Sequence, residues 1–326
     1  MPNSYHLAFW NLENLFDVEN SPRRTEKLAR TLGKSIKGWT AALLDRKISQ
    51  LATVIQSMNS SHGPDVLGVA EVENRYVLDL LVQCLASLGR NYKVIHFDSP
   101  DQRGIDVAFI YDANVFTVPL PLEDNVFSHF VLRRTATRDI LQVTFETVAH
   151  QRQLILLANH WPSRSGGQLE SEAYRVIAGE TLAYFHQRAM QVKGETTPVL
   201  AMGDFNDEPF NDSLVRYALC QRVPSLVAKG RDPYFLNLMW SLMGKGVGTL
   251  YFENAPNLLD QFLINKNWLK TTSPFKIKPE SVNIVKYPAM VDKDGHPIPF
   301  GGMGKKVNKD GFSDHFPVEV QISEAD

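Results

Sequence analysis

Apolar residues recur along the chain in two spacings, and each predicts a different element. Tyr5-His6-Leu7-Ala8-Phe9-Trp10 is a strand-like opening segment. From about 40 to 58, Leu44, Ile48, Leu51, Val54 and Ile55 fall three or four residues apart, which predicts a helix with one buried stripe. Gly63-Pro64 ends that helix, and the apolar run 65–70 predicts a strand leading into Glu71. A second helix is expected over 76–88, stopped by Gly89. Strands are expected over 92–97, 106–111, 127–132, 141–148 and 154–159, the last delivering His160. A long helix over 171–192 precedes a strand over 198–202 that ends at Gly203-Asp204. Short helices and loops fill 212–243, and strands over 258–264 and 316–322 complete the pattern.

Long β runs with no helix between them argue against a simple βαβ repeat. They favour an α/β sandwich: two packed mixed β-sheets flanked by helices, four layers in all. The length, at about 150 residues per domain, suggests two domains. No repeat and no Pro- or Ser-rich linker marks a boundary, however, so one domain over 1–326 is expected. The segment 274–311 is the least regular: Gly295, Gly301, Gly302, Gly304 and Gly311 alternate with Lys293, Lys305, Lys306 and Lys309. It reads as a long, mobile surface loop.

Charge narrows the class. The 34 Lys and Arg residues nearly balance the 36 Asp and Glu residues, a net −2, which excludes an acidic disordered chain and a uniformly basic nucleic-acid binder. An apolar fraction of 44% is enough for one large core. Cys84 and Cys220 both stand in apolar contexts and are expected as buried free thiols rather than a disulfide or a zinc site. No run approaches the roughly 18 apolar residues of a membrane span, and the N-terminus lacks a secretory pattern. The expected location is cytoplasmic, and the expected state a monomer.

Six polar clusters sit at strand ends, where side chains leave the core and converge. They are Trp10-Asn11-Leu12-Glu13-Asn14, Glu71-Val72-Glu73-Asn74, Asn159-His160-Trp161-Pro162, Gly203-Asp204-Phe205-Asn206-Asp207, Leu259-Asp260-Gln261 and Ser313-Asp314-His315. Asn, Glu, Asp and His without thiols form a hard-cation and proton-transfer set, which selects Mg²⁺, Mn²⁺ or Ca²⁺ over Zn²⁺. Singly, each cluster could be a turn. In this order and spacing the chain resembles the endonuclease/exonuclease/phosphatase superfamily, the deoxyribonuclease-I-like fold, over nearly its whole length. Arg103-Gly104-Ile105-Asp106 and the stretch 159–167 further resemble a bacterial subgroup of it.

That resemblance implies a Mg²⁺-dependent phosphoesterase. Glu71 would be the principal metal ligand, with Asn11 and Asp314 assisting. Asp204 would orient or deprotonate the attacking water, and Asn206 would hold that water or a phosphoryl oxygen. Two-residue spacing would put both on one side of an extended backbone. Asp260 would fix the tautomer of His315 and raise its pKa, and His160 would face a phosphoryl oxygen or the leaving group. Arg103 and Arg164 are candidate phosphate contacts, Asp106 would support the site from behind, and Asp207 is expected to be solvated or to cap a helix. A basic stretch (Arg23, Arg24, Lys27, Arg30, Lys34, Lys37) could track a phosphate backbone or form a solvated helix face. Trp39 and Trp161 could stack bases. The expected activity is a nuclease on DNA or RNA. A phosphatase or phosphodiesterase on a small molecule or lipid head group is the alternative, and a catalytically silent binding module the third reading.

Overall fold

The computed structural model describes residues 3–132, 137–302 and 304–325. The chain opens on β1 (Asn3–Leu15), then α1 (Glu26–Leu32), α2 (Ala41–Ser61), β2 (Val66–Val72) and α3 (Arg75–Cys84). Six strands follow with no α-helix between them: β3 (Tyr92–His96), β4 (Asp106–Asp112), β5 (Phe116–Thr117), β6 (Val126–His129), β7 (Ile140–Thr147) and β8 (Gln153–His160). Next come α4 (Gln168–Lys193), β9 (Val199–Asp204), β10 (Cys220–Gln221), α5 (Pro224–Lys229) and β11 (Phe235–Asn237). The hairpin β12 (Leu250–Phe252) and β13 (Ala255–Asn257) leads to β14 (Asp260–Asn265), β15 (Phe275–Ile277), β16 (Asn283–Ile284) and β17 (Val318–Glu324).

The strands form two large mixed sheets. One has the order β15-β17-β1-β2-β4-β3, with β16 also on β17; the other runs β10-β11-β14-β9-β8-β7-β5, with β6 also on β7. Each sheet is mainly antiparallel around one central parallel pair, β1 with β2 and β8 with β9. The inner faces meet through Phe9, Phe109, Phe145, Leu156, Met202 and Phe262, with Phe109 edge-on to Phe145 across the interface at 5.7 Å between centroids. A Cβ on Gly68 would lie 2.8 Å from Met202 Sδ and 2.9 Å from Phe9, so only glycine lets the sheets close here.

Helices cover the outer faces. α2 starts at the cap Thr40, whose hydroxyl accepts from Leu43 N, and leaves helical geometry at Met58, the expected end. Its stripe of Leu44, Ile48, Leu51 and Ile55 packs into the core with Val77, Leu78 and Leu81 of α3. On the other sheet, Ala178, Leu182, Ala189 and Met190 of α4 cover Ile155, Leu157, Val199 and Ala201.

Two expectations need correction. The segment 274–311 is not an irregular surface loop: β15 and β16 pair with β17, and Phe300 is fully buried with Trp39, Phe16 and Ile105 in a separate apolar cluster. Its glycines make turns around anchored residues instead of marking a featureless stretch. Cys220 is buried, but Cys84 is exposed and both are free. α3 ends at Cys84, and the turn that follows sends Leu85 inward in its place.

Candidate active site

The two central parallel pairs end at one edge of the sandwich and carry polar clusters there. In the first sheet Asn11 stands opposite Ala70, the residue before Glu71. In the second, His160 stands opposite Asp204, and Asp204 opposite Asp260 on β14. Residues 313–315 precede β17 and are tied to β1: Ser313 Oγ donates to Asn11 O at 2.7 Å, and Trp10 Nε1 donates to His315 O at 2.8 Å. Pairing register therefore brings together six segments that are far apart in sequence.

Asp204 lies at the centre. Its Oδ1 accepts from Asn206 N at 2.9 Å and its Oδ2 from Asn11 Nδ2 at 3.0 Å. The Nε2 atoms of His160 and His315 approach Oδ2 at 3.6 and 3.8 Å. Burial pushes the Asp204 carboxyl up to about 7; the His315 imidazole opposes this and Asp260 adds to it. The two histidines differ. Burial pulls His315 down, but Asp260 at 2.7 Å from Nδ1, with Asp204 and Asp314, outweighs it and holds His315 well above the ordinary imidazole range. Burial, together with Arg138, Arg103 and His315, holds His160 well below that range, so it is neutral. His160 Nδ1 is buried with no hydrogen-bond partner.

The β1 end is built differently. Its pairing with β2 shifts register between Asn11 and Leu15, and Glu13 and Asn14 take φ of 49° and 59°. Glu71 itself has φ 62°. Such conformations cost of order 1–3 kcal/mol each and gather at functional sites. The bulge presents Asn14 N to Glu71 Oε2 at 2.9 Å and Glu13 N to Asn11 Oδ1 at 3.0 Å. Beneath it, Lys47 of α2 is fully buried and donates to Glu13 O at 2.6 Å. Burial lowers the Lys47 ammonium to about 8 against the pull of Glu13, Asp314 and Glu71. Burial likewise raises Glu13 to about 7, with Asp314 adding to it. Sequence reasoning assigned neither residue a role, although one signal was available: position 47 falls on the apolar stripe between Leu44 and Leu51.

The other expected residues divide. Asn206 joins Asp204 through a turn at φ 51°, not along an extended strand, and its Nδ2 donates to Trp161 O at 3.0 Å. Arg103 is half-exposed, with Nη2 3.9 Å from Glu71 Oε1. Arg164 turns inward instead, donating to Asn206 O, Asp207 Oδ1 and Asn211 Oδ1. Asp207 is not solvated: it is buried between Arg164 at 2.9 Å and Arg175 at 2.8 Å, because the loop after β9 folds back over α4. Asp106 accepts from Ser99 N and bonds His96, which fixes the loop carrying Arg103. That loop is also held by Arg138, buried between Asp101 and Trp161 O and without an assigned role from sequence. Trp39 and Trp161 are both buried, so neither is free to stack a base. In the basic stretch, Arg24 is consumed by Glu73, Arg30 pairs with Glu26, and Arg23 lies over Tyr76. Arg23 and Lys27 line a cleft of about 240 Å³ with Gln102 and Gly104, which flank Arg103.

The donor set suits a hard divalent cation. Glu71, Asp204, Asp260 and Asp314 face the cationic Lys47, His315 and Arg138 and the half-exposed Arg103. Among the described residues, the cationic or imidazole groups within 4 Å of Glu71 Oε1 are Arg103 at 3.9 Å and His160 at 3.7 Å, and no hydrogen bond or salt bridge reaches the Asp314 carboxylate. Asn11 Oδ1 keeps a second lone pair. Asp204, Asp260 and His315 also lie within 4.8 Å of one another, but Asp260 Oδ2 and His315 Nδ1 already bond each other. Glu71, Asn11 and Asp314 thus keep more oxygen acceptor capacity for a cation than Asp260 does.

A family model described as "Endonuclease/Exonuclease/phosphatase family" matches residues 6–324. Among solved structures, a protein of that family from Bacteroides thetaiotaomicron superposes with a TM-score of 0.56 at 15% identity, covering 100% of this chain and 99% of its own. A mannosyl-6-phosphatase from the same organism gives 0.57 at 15%, covering 98% and 99%. The human nocturnin catalytic domain with bound sulfate gives 0.54 at 15%, covering 100% and 96%. Nothing among the curated proteins matches.

Proposed function

The chain belongs to the endonuclease/exonuclease/phosphatase family, and on that premise we propose that it is a divalent-metal-dependent phosphodiester hydrolase that cleaves nucleic acid. The observation that carries the reading is the buried Asp204 carboxylate, fixed by Asn11 and Asn206 and flanked by one neutral and one cationic imidazole. In-line attack on a phosphodiester needs a base beside the water and positive groups beside the phosphoryl oxygens.

Asp204 Oδ2 takes a proton from the water as the new P–O bond forms and the bond to the leaving oxygen breaks. His315, kept protonated by Asp260, faces the charge that builds on the phosphoryl oxygens. His160 Nε2, neutral, donates a hydrogen bond to one of those oxygens or to the leaving oxygen. Glu71, Asn11 and Asp314 would hold the cation, which neutralises phosphoryl charge and acts as a Lewis acid. Arg103 would contact a neighbouring phosphate, and Arg23 and Lys27 of the cleft beside it, which Glu73, Asp98 and Asp101 also line, would offer further contacts to a strand.

A second reading is favoured by a different observation. With Arg164 turned inward and both tryptophans buried, Arg103 is, of the two candidate arginines, the one that stays half-exposed beside Glu71, which suits a small phosphoester as well as a polymer. Cleavage of short DNA or RNA strands in Mg²⁺ or Mn²⁺, lost with a chelator and in Asp204→Ala and His315→Ala, supports the nuclease. Hydrolysis of soluble phosphoesters with no action on nucleic acid supports the second reading. Full activity in both variants overturns the mechanism.

A further inference from the structure

Lys47 is an unusual residue for its place. An ammonium in the buried stripe of a helix loses its hydration, and a fold retains such a group only where fixed partners replace that hydration. Among the described residues its hydrogen-bonding and charged partners all belong to the metal-side edge: Glu13 O at 2.6 Å, and the carboxylates of Glu13, Asp314 and Glu71 through their charge. The Phe300 ring centroid lies 4.9 Å from Nζ.

Glu13 in turn reaches both ways. Its backbone N–H holds Asn11 Oδ1 at 3.0 Å, and the adjacent Asn14 N–H holds Glu71 Oε2 at 2.9 Å. Its carboxylate accepts from Phe300 N at 2.7 Å and Gly301 N at 3.0 Å. This bond anchors the segment that runs on to Ser313-Asp314-His315, and Gly301 there has φ 81°. One buried pair therefore supports Asn11 and Glu71 through the bulge and, through Phe300 and Gly301, the segment that leads to Asp314.

We propose that Lys47 and Glu13 are positioning residues for the cation: Lys47 pins the left-handed bulge that aims Asn11 and Glu71, and the Glu13 carboxylate pins the segment that carries Asp314. The inference rests on the metal reading above and adds to it two residues that touch neither cation nor substrate. A purely structural role would cost stability alone. A positioning role costs metal affinity in protein that remains folded, because groups behind metal ligands typically change affinity by about 10- to 100-fold.

The test is Mn²⁺ titration by calorimetry of the full chain, wild type against Lys47→Met and Glu13→Gln, each checked for folding by circular dichroism and thermal unfolding. Wild type binds. Lys47→Met binds about tenfold or more weakly and loses kcat with KM nearly unchanged, and Glu13→Gln, which keeps the backbone carbonyl for Lys47 and one carbonyl acceptor, shows a smaller loss in the same direction. Unchanged Mn²⁺ affinity in folded Lys47→Met overturns the inference. If Lys47→Met does not fold, Glu13→Gln decides: weaker binding supports the inference and wild-type affinity overturns it. A wild type that binds no Mn²⁺ overturns the metal reading itself.

Discussion

The two central parallel strand pairs reach the same edge by different means. β8, β9 and the antiparallel β14 deliver His160, Asp204 and Asp260 by register, as paired residues in extended strands. β1 and β2 deliver Asn11 and Glu71 through a bulge, with positive φ at Glu13, Asn14 and Glu71, braced from below by Lys47. The register side holds Asp204 and His160, whose protonation is displaced, and Asp260, which keeps His315 of the facing sheet protonated. The bulge side holds oxygen donors aimed by backbone amides. The proposed base, Asp204, and the proposed cation ligands Asn11 and Glu71 thus stand on different sheets, and the two roles should be separable by mutation.

The largest expected effect is on the register side. Asp204→Asn keeps the shape and one of the two acceptor positions of the carboxylate but removes the base, so kcat falls by about 10²–10⁴ while KM changes little; steady-state kinetics on a short oligonucleotide reads this. On the bulge side, Glu71→Gln keeps an acceptor for Asn14 N but removes the charge. Activity then needs much more Mg²⁺ and is recovered in part at high metal, which a metal titration of the rate shows.

A smaller effect comes from pH. With Asp204 raised to about 7, its basic form grows as pH increases, so kcat rises through about pH 7 and levels above it. The acid limb disappears in Asp204→Asn, and a rate that instead falls between pH 6 and 8 contradicts the assignment. Smallest in activity are the two arginines. Arg103→Ala raises KM several-fold, because a half-exposed charge contact contributes only about 1 kcal/mol. Arg164→Ala leaves Asp207 with one partner fewer and lowers the unfolding temperature more than it lowers kcat/KM.

The register side was the more legible in sequence. Apolar runs ending in His160, Asp204 and Asp260 announce strands that carry polar groups out of the core, and pairing needs nothing further to bring them together. The bulge side was legible only in its ligands. Glu13 looks like any acid in a polar cluster, and its function of holding Phe300 and Gly301 depends on a partner nearly the whole chain away. Lys47 reads as a surface residue unless its place on the apolar stripe is weighed. Arg164, Asp207 and the tryptophans show the same limit from the other direction. Their chemistry suggests solvent or substrate, yet packing gives them internal partners: Asn206 and Asp207 for Arg164, Asn159 and Phe205 for Trp161.

The division between the two sides is tested most directly by one calorimetric comparison of Mn²⁺ binding to wild type, Glu71→Gln and Asp204→Asn. The expected result is that Glu71→Gln loses affinity by about tenfold or more, while Asp204→Asn, although inactive, stays within about threefold of wild type, well under one tenfold step of about 1.4 kcal/mol. Equal loss in both variants, or loss in Asp204→Asn alone, would contradict the division.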